Sequence, residues 1–155
     1  MMEQYDNCPF SGAKLALICG DQLLTYKRDC KPEIPFAGLW DLPGGGREGM
    51  ESPVQCVLRE LEEEFSLSLT PGRITWLKKY PAVTVAGTWS FFLAGSVDRA
   101  EIDRIHFGAE GQRWTLMLVT DFLARGDAVP HLKIRLTDCL KHEGIPLGSN
   151  PRRGS

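Results

Sequence analysis

Apolar and polar positions along the chain fall into short strand-length runs broken by turn residues, with one long helical pattern near the middle. Ala13 to Cys19 (AKLALIC) is apolar and strand-length; Gly20-Asp21 follows as a turn, and Gln22 to Arg28 (QLLTYKR) reads as the return strand of a hairpin. Pro32 and Pro35 make Asp29 to Gly38 an irregular loop. Leu39 to Leu42 is then a short apolar strand running into Gly44, Gly45 and Gly46, which read as a turn. From Pro53 the period changes: Val54, Val57, Leu58, Leu61 and Phe65 recur at helical spacing. Ser52 suits the N-cap, Pro53 the first helical position, and Gln55 completes a capping-box pattern. Beyond the turn at Pro71-Gly72, Arg73 to Val85 and Thr88 to Val97 are rich in β-branched and aromatic residues and predict a second hairpin about Ala86-Gly87. A short helix over Ala100 to Ile105, a glycine-punctuated loop over Phe107 to Gln112 and a strand over Trp114 to Val119 follow. Two helices, Thr120 to Ala124 and Pro130 to His142, are predicted to close the chain. This order, with no repeat or linker, predicts a single α/β domain over residues 13–142, with an irregular lead-in (1–12) and a loose tail (143–155).

Beside the apolar stripe of the central helix, Glu60, Glu63 and Glu64 fall on one flank. Like charges at spacings of three and four repel, so these three weaken an isolated helix. An acidic run of this kind is usually a solvated face. The functional alternative is a divalent cation such as Mg²⁺, which takes oxygen ligands.

Composition narrows the classes. A chain of 155 residues suits one domain, and a net charge of −2 gives no electrostatic footprint for bulk nucleic acid or a membrane surface. Five widely spaced cysteines without a CxxC pair argue against a zinc site or a disulfide framework and fit a reducing compartment. The N-terminal residues show no secretory pattern, and no apolar run reaches membrane-spanning length. A soluble, cytoplasmic protein is expected.

The glycines and the acidic helix gain meaning from their joint spacing. Gly45, five residues, Glu51, seven residues, then Arg59-Glu60-Leu61-x-Glu63-Glu64 resembles the Nudix box, G-x5-E-x7-R-E-U-x-E-E-x-G-U, where U is bulky and aliphatic. The match runs from Gly45 to Leu67 with one departure: Ser66 stands where the second glycine is expected. The resemblance implies an α/β/α sandwich with a mixed sheet, and attack of water on a diphosphate linkage assisted by Mg²⁺ or Mn²⁺. It also implies that Glu60, Glu63 and Glu64 are catalytic metal ligands, which of them activates water being left open. Arg59 and Glu51 would orient them, and Gly44 and Gly45 would let the backbone approach metal or phosphate. Glycine at the Ser66 position would suit a left-handed helix end, where serine costs about 1 kcal/mol.

Outside the box, the segment holding Glu110 (FGAEGQ) looks like the glycine-flanked Glu-Gly-Gln of some MutT-like members, where the glutamate faces the metals; the plain reading is a surface loop. Arg28 is a candidate for gripping substrate phosphates or, equally, a solvated strand end. Trp40-Asp41 in WDLPGG resembles the approach to the box in MutT-type members, with Trp40 read as core. Phe36, Tyr80, Trp89 and Trp114 are core or wall candidates first and base-pocket candidates second, and the histidines show no ligand spacing. His131, in AVPHLKIRL, falls in what looks like the C-terminal helix edging the pocket of MutT-like proteins. The asparagine that reads an oxidised guanine there has no counterpart: Val129 takes its place, which weakens an 8-oxo-dGTP assignment. The expected substrate is a small nucleotide, foremost a nucleoside triphosphate cleaved to nucleotide and pyrophosphate. ADP-ribose or a nucleotide sugar comes second, Tyr80-Pro81 being a slight pointer to the former. A non-catalytic nucleotide sensor is the rival of another class, and a homo-oligomer is compatible with all three.

Overall fold

The computed structural model describes residues 8–143; most of the expected lead-in and all but the first residue of the tail lie outside the described residues. Its strands are β1 (Gly12–Cys19), β2 (Gln22–Lys27), β3 (Trp40–Asp41), β4 (Gly44–Gly46), β5 (Ile74–Pro81), β6 (Trp89–Ser96) and β7 (Arg113–Leu118). The helices are α1 (Pro53–Phe65), α2 (Arg99–Ile102), α3 (Val119–Ala124) and α4 (Pro130–His142), with a 3-10 turn at Pro71–Arg73. The strands make one sheet in the order β3-β2-β1-β6-β5, with β4 also pairing β1 and β7 also pairing β2. Its one parallel pair is β1 with β6; the others are antiparallel, so the sheet is mixed.

Alternation along the central strands builds two apolar layers. Leu15, Leu17, Phe91 and Leu93 face α1, whose Val57, Leu61 and Phe65 are fully buried against them. Leu23, Phe92 and Ala94 face the other way, onto Phe122 of α3 and Leu132 and Leu136 of α4. The result is the expected α/β/α sandwich. Cys56 joins the buried face of α1, while Val54 and Leu58 lie at its margin.

Several boundaries differ from the sequence-based expectation. Gly44–Gly46 is a strand, not a turn: Gly12, Ala13 and Lys14 pair with Gly46, Gly45 and Gly44. Backbone contact explains this, because a Cβ on Gly44, whose φ is 133°, would stand 2.2 Å from the Ala13 carbonyl oxygen. The second hairpin is shorter than its composition implied. Its ladder ends at Pro81 and Trp89, and residues 82–88 form a loop closed by the Ala82 N–H donating to the Thr88 carbonyl at 3.0 Å. Loop residues Val83 and Val85 are β-branched but exposed, without a partner strand to favour extension.

The ends of α1 follow local chemistry. Ser52 Oγ accepts from the Gln55 N–H, and Gln55 Oε1 accepts from the Ser52 N–H, completing the capping box. At the other end Ser66 is left-handed, with φ 56° and ψ 31°. Its hydroxyl donates to the His106 carbonyl at 3.2 Å, a bond that glycine could not make. The expected stability order at this position is therefore Gly at or slightly above Ser, and Ala lower by about 0.5–1 kcal/mol, because alanine keeps the strain and loses the bond. Urea unfolding of Ser66→Gly and Ser66→Ala checks the order; alanine as stable as serine would mean the hydroxyl contributes nothing.

Candidate functional site

β4 lies between two sets of functional side chains. On one side it meets the acidic flank of α1: a Cβ on Gly45 would be 2.7 Å from Glu60 Oε2, so only a glycine lets strand and carboxylate come so close. Gly45 and Gly46 also border a cavity of about 330 Å³ on the other side.

Arg59 braces the acidic side. Its Nε donates to Glu51 Oε2 at 2.6 Å, one terminal nitrogen donates to Glu60 and Glu63 at 2.9 Å each, and the other donates to the Gly46 carbonyl at 2.8 Å. Glu51 also accepts from the Glu48 N–H at 2.8 Å, which fixes the turn leading into α1. One guanidinium thus links strand, turn and helix, using the planar fork that lysine lacks. Burial, ahead of repulsion from Glu63 and Glu110, raises the Glu60 carboxyl above the usual range despite Arg59. Glu64 is likewise raised, by burial first and then by Glu110, Glu60 and Glu63. Its Oε2 is buried and has no hydrogen-bond partner.

Glu110 reaches this group because its loop is laid along the end of α1. The His106 N–H donates to the Phe65 carbonyl (3.1 Å), the Gly108 N–H to the Glu64 carbonyl (2.7 Å), and the Gln112 N–H to the Lys27 carbonyl (2.8 Å). Glu64 and Glu110 then line one small pocket with Tyr26 and Gly44. Glu63 stands further out, its side chain 51% exposed. As placed, no group of three or more His, Cys, Asp or Glu side chains among the described residues is poised to hold an ion. Glu60 and Glu63 are both engaged by Arg59.

Across β4, a buried ion cluster forms one wall of the cavity. Asp41 Oδ2 accepts from Lys14 Nζ at 3.0 Å, Arg28 at 2.8 Å and the Tyr26 hydroxyl at 3.1 Å, while Oδ1 accepts from the Leu42 N–H at 2.7 Å. Burial opposes the Asp41 charge, yet Lys14, the Leu42 N–H and Arg28 hold its carboxyl below the usual range. Burial pushes the Tyr26 phenol up to about 12. The far wall comes from α4, whose start is tied to β3: Trp40 N–H donates to the Asp127 carbonyl at 2.8 Å, and Val129 N–H to the Trp40 carbonyl at 3.0 Å. This places His131 against the Phe36 ring, 5.3 Å between centroids. Burial, with the Arg135 charge, lowers His131 to about 4, so its ring is neutral near pH 7.

The structure thus gathers Glu51, Arg59, Glu60, Glu63, Glu64, Gly44, Gly45 and Glu110 about β4 and α1. It places Arg28 in the cavity wall, although its guanidinium is committed to Asp41 and to the Pro35 carbonyl (2.9 Å). Phe36 lines the cavity; Trp114 packs into the core facing α1, and Tyr80 and Trp40 join the opposite core. Trp89 is 41% exposed, beneath Lys79. His131, on the helix that resembled a pocket edge, is half-buried in the cavity wall, while Val129 caps α4 there without a side-chain hydrogen bond. Sequence reasoning missed Lys14 and Arg135, and noted Asp41 only as part of the approach to the box. Each carried a signal: a lone lysine in an apolar strand, an acid between apolar residues before the glycines, an arginine on the inward side of a helix.

The NUDIX domain family model matches residues 11–134, and the chain belongs to that family. An RNA pyrophosphohydrolase of Acidiphilium cryptum (strain JF-5) is 41% identical over 54 residues, which is 35% of this chain and 32% of that protein. An 8-oxo-dGTP diphosphatase of Proteus vulgaris is 46% identical over 35 residues, 23% of this chain and 31% of that protein. The matched stretch thus spans about a third of each of these curated relatives. Among solved structures, the MutT protein from Methanosarcina mazei Go1 superposes with a TM-score of 0.68 at 19% identity, covering 88% of this chain and 96% of that one, a likeness of fold. No helix among the described residues is long and apolar enough to cross a membrane.

Replacing Asp41 tests the cavity wall. Asp41→Asn leaves the half-buried Lys14 and Arg28 without their anion and is expected to cost about 3 kcal/mol in urea unfolding at neutral pH. Because the folded pKa lies below the reference 3.8, the native Asp41 contribution is complete above that value and is lost as pH falls through the lower folded pKa. The variant's stability should therefore fall less steeply than the native protein's in that acid range.

Proposed function

We propose that the protein is a Mg²⁺- or Mn²⁺-dependent pyrophosphohydrolase that cleaves a diphosphate linkage in a nucleotide-type small molecule. The observation that carries this reading is the Glu64 carboxylate. It is raised by burial and by three neighbouring acids, with one buried oxygen unpartnered, beside a glycine strand that borders a ligand-sized cavity. Buried carboxylates that repel one another favour a hard cation, and a donor set of oxygens alone fits Mg²⁺ or Mn²⁺. Glu60, Glu63, Glu64 and Glu110 are the residues that would hold it. When bound, such an ion supplies Lewis acidity to the phosphoryl oxygens and lowers the pKa of water.

The chain's own residues supply the rest. Arg59, tied to Glu51 and to the Gly46 carbonyl, keeps the helix flank aligned with β4. Glu60 and Glu64, both with raised proton affinity, are the candidates to accept a proton from the attacking water. Gly44 and Gly45, without side chains, let β4 lie against β1 and against the Glu60 carboxylate, so that its backbone can approach metal or phosphate. Lys14 and Arg28 put positive charge into the adjoining cavity wall.

A nucleoside triphosphate, cleaved to nucleotide and pyrophosphate, is the leading substrate form, in keeping with the diphosphatase among the relatives. ADP-ribose or a nucleotide sugar is the second reading, favoured by a cavity wall that combines Phe36 and His131 with cationic side chains. A cytoplasmic protein without bulk nucleic-acid partners fits a net charge of −2.

Glu64→Gln is expected to keep the fold by circular dichroism and to lose roughly 10²-fold or more of Mg²⁺-dependent turnover. A nucleotide panel with separate detection of phosphate, pyrophosphate and AMP decides the substrate form. Pyrophosphate from triphosphates supports the first form, and AMP from ADP-ribose the second. Tight nucleotide binding without turnover under either metal would replace hydrolysis with a sensor role.

A further inference from the structure

Arg135 projects from α4 with 5% of its surface exposed and forms part of the cavity wall. Its two terminal nitrogens donate to Ser90 Oγ (3.0 Å) and to the Pro81 carbonyl (2.9 Å), and its guanidinium lies 4.6 Å from the Tyr80 ring centroid. Among the described residues no carboxylate pairs with it: the acid one turn on, Asp138, accepts instead from Tyr80 (2.8 Å) and Lys78 (3.2 Å). A buried charge held only by neutral acceptors carries its desolvation cost without the opposite charge that normally offsets it. Pinning the hairpin at Pro81 and Ser90 explains the two hydrogen bonds. It does not explain a full positive charge in a cavity wall, since a neutral amide could donate both.

The cavity as a whole has the same imbalance. Lys14, Arg28 and Arg135 are its cations and Asp41 its one acid, and a single Asp41 oxygen already serves Lys14 and Arg28. His131 adds no charge near pH 7. The walls therefore carry an excess of two positive charges. Arg135 lies away from the Asp41 cluster. Its partner Ser90 pairs with Gly12, which pairs with Gly46, so Ser90, to which Arg135 donates, stands about two strand spacings, roughly 10 Å, from β4. A substrate whose diphosphate lies along β4 would extend its next group towards Arg135.

We infer that Arg135 is a specificity-determining residue that reads a negatively charged group, a phosphate or a carboxylate, on the part of the substrate lodged in this cavity, remote from the diphosphate that is cleaved. A neutral base or sugar offers only partial charges and leaves the guanidinium uncompensated. This inference rests on the proposed hydrolysis beside β4.

Matched substrate pairs test it on the full chain with Mg²⁺. NADP⁺ against NAD⁺ differs by one phosphate, and UDP-glucuronate against UDP-glucose by one carboxylate. The wild type is expected to favour the charged member of at least one pair by tenfold or more in kcat/KM, and the responding pair identifies the anion. Arg135→Gln should reduce that preference to within about threefold while changing the rate on the neutral member much less, and Arg135→Lys should retain part of it. Equal use of both members in both pairs, or a preference that survives Arg135→Gln, overturns the inference. Should Arg135→Gln fail to fold, the wild-type preference and the lysine variant decide. Calorimetric binding of the same pairs without metal reads the charge preference where no turnover occurs. Failure of all turnover with charge-selective binding would sink the hydrolysis and leave the anion site standing; turnover without charge selectivity would do the reverse.

Discussion

The Arg59 guanidinium holds together what no single element could. Its bonds to Glu51, Glu60, Glu63 and the Gly46 carbonyl join a turn, a helix flank and β4 at one point. Without it, adjacent carboxylates on α1 would repel one another and β4 would lose a contact beyond its three-residue pairing with β1. The glycines make the arrangement possible from the other side, since a side chain at Gly44 would strike β1 and one at Gly45 would strike Glu60. Charge and the absence of side chains therefore act as one constraint.

From that point the molecule divides into an acidic side and a cationic side, separated by the thickness of β4. Glu60, Glu64 and Glu110 gather on the first, where burial, ahead of mutual repulsion, raises the proton affinities of Glu60 and Glu64. Lys14, Arg28 and Arg135 stand on the second, about a cavity that Phe36 and His131 also line. This polarity suits the proposed chemistry: cation binding and proton transfer on one side, recognition of an anionic group on the other. The sandwich supplies the rigidity, because both sides are mounted on strands and helices packed into the two apolar layers.

The acidic side was legible in the sequence because its residues are close along the chain. Gly44, Gly45, Glu51, Arg59, Glu60, Glu63 and Glu64 fall within two dozen positions, and helical periodicity alone sets the glutamates beside the apolar stripe. The left-handed end of α1 at Ser66 was also expected, from the position where glycine normally stands. The cavity was far less legible. Lys14 and Asp41 meet only because β1, β2 and β3 are neighbours in the sheet, and Arg135 and Ser90 are 45 residues apart. The glycine run misled for a related reason: glycines permit a turn, and only the presence of β1 alongside makes them a strand.

Local physics thus determined the central helix and its caps, most strands to within a few residues, and the carboxylate flank. Those features depend on hydrogen bonds and side-chain spacing within a few turns of chain. Tertiary structure decided which glutamates are buried and hence raised, where Glu110 stands, and that three cations share one cavity with a single aspartate. Burial and the field of distant charges are properties of the packed molecule, and no run of sequence carries them.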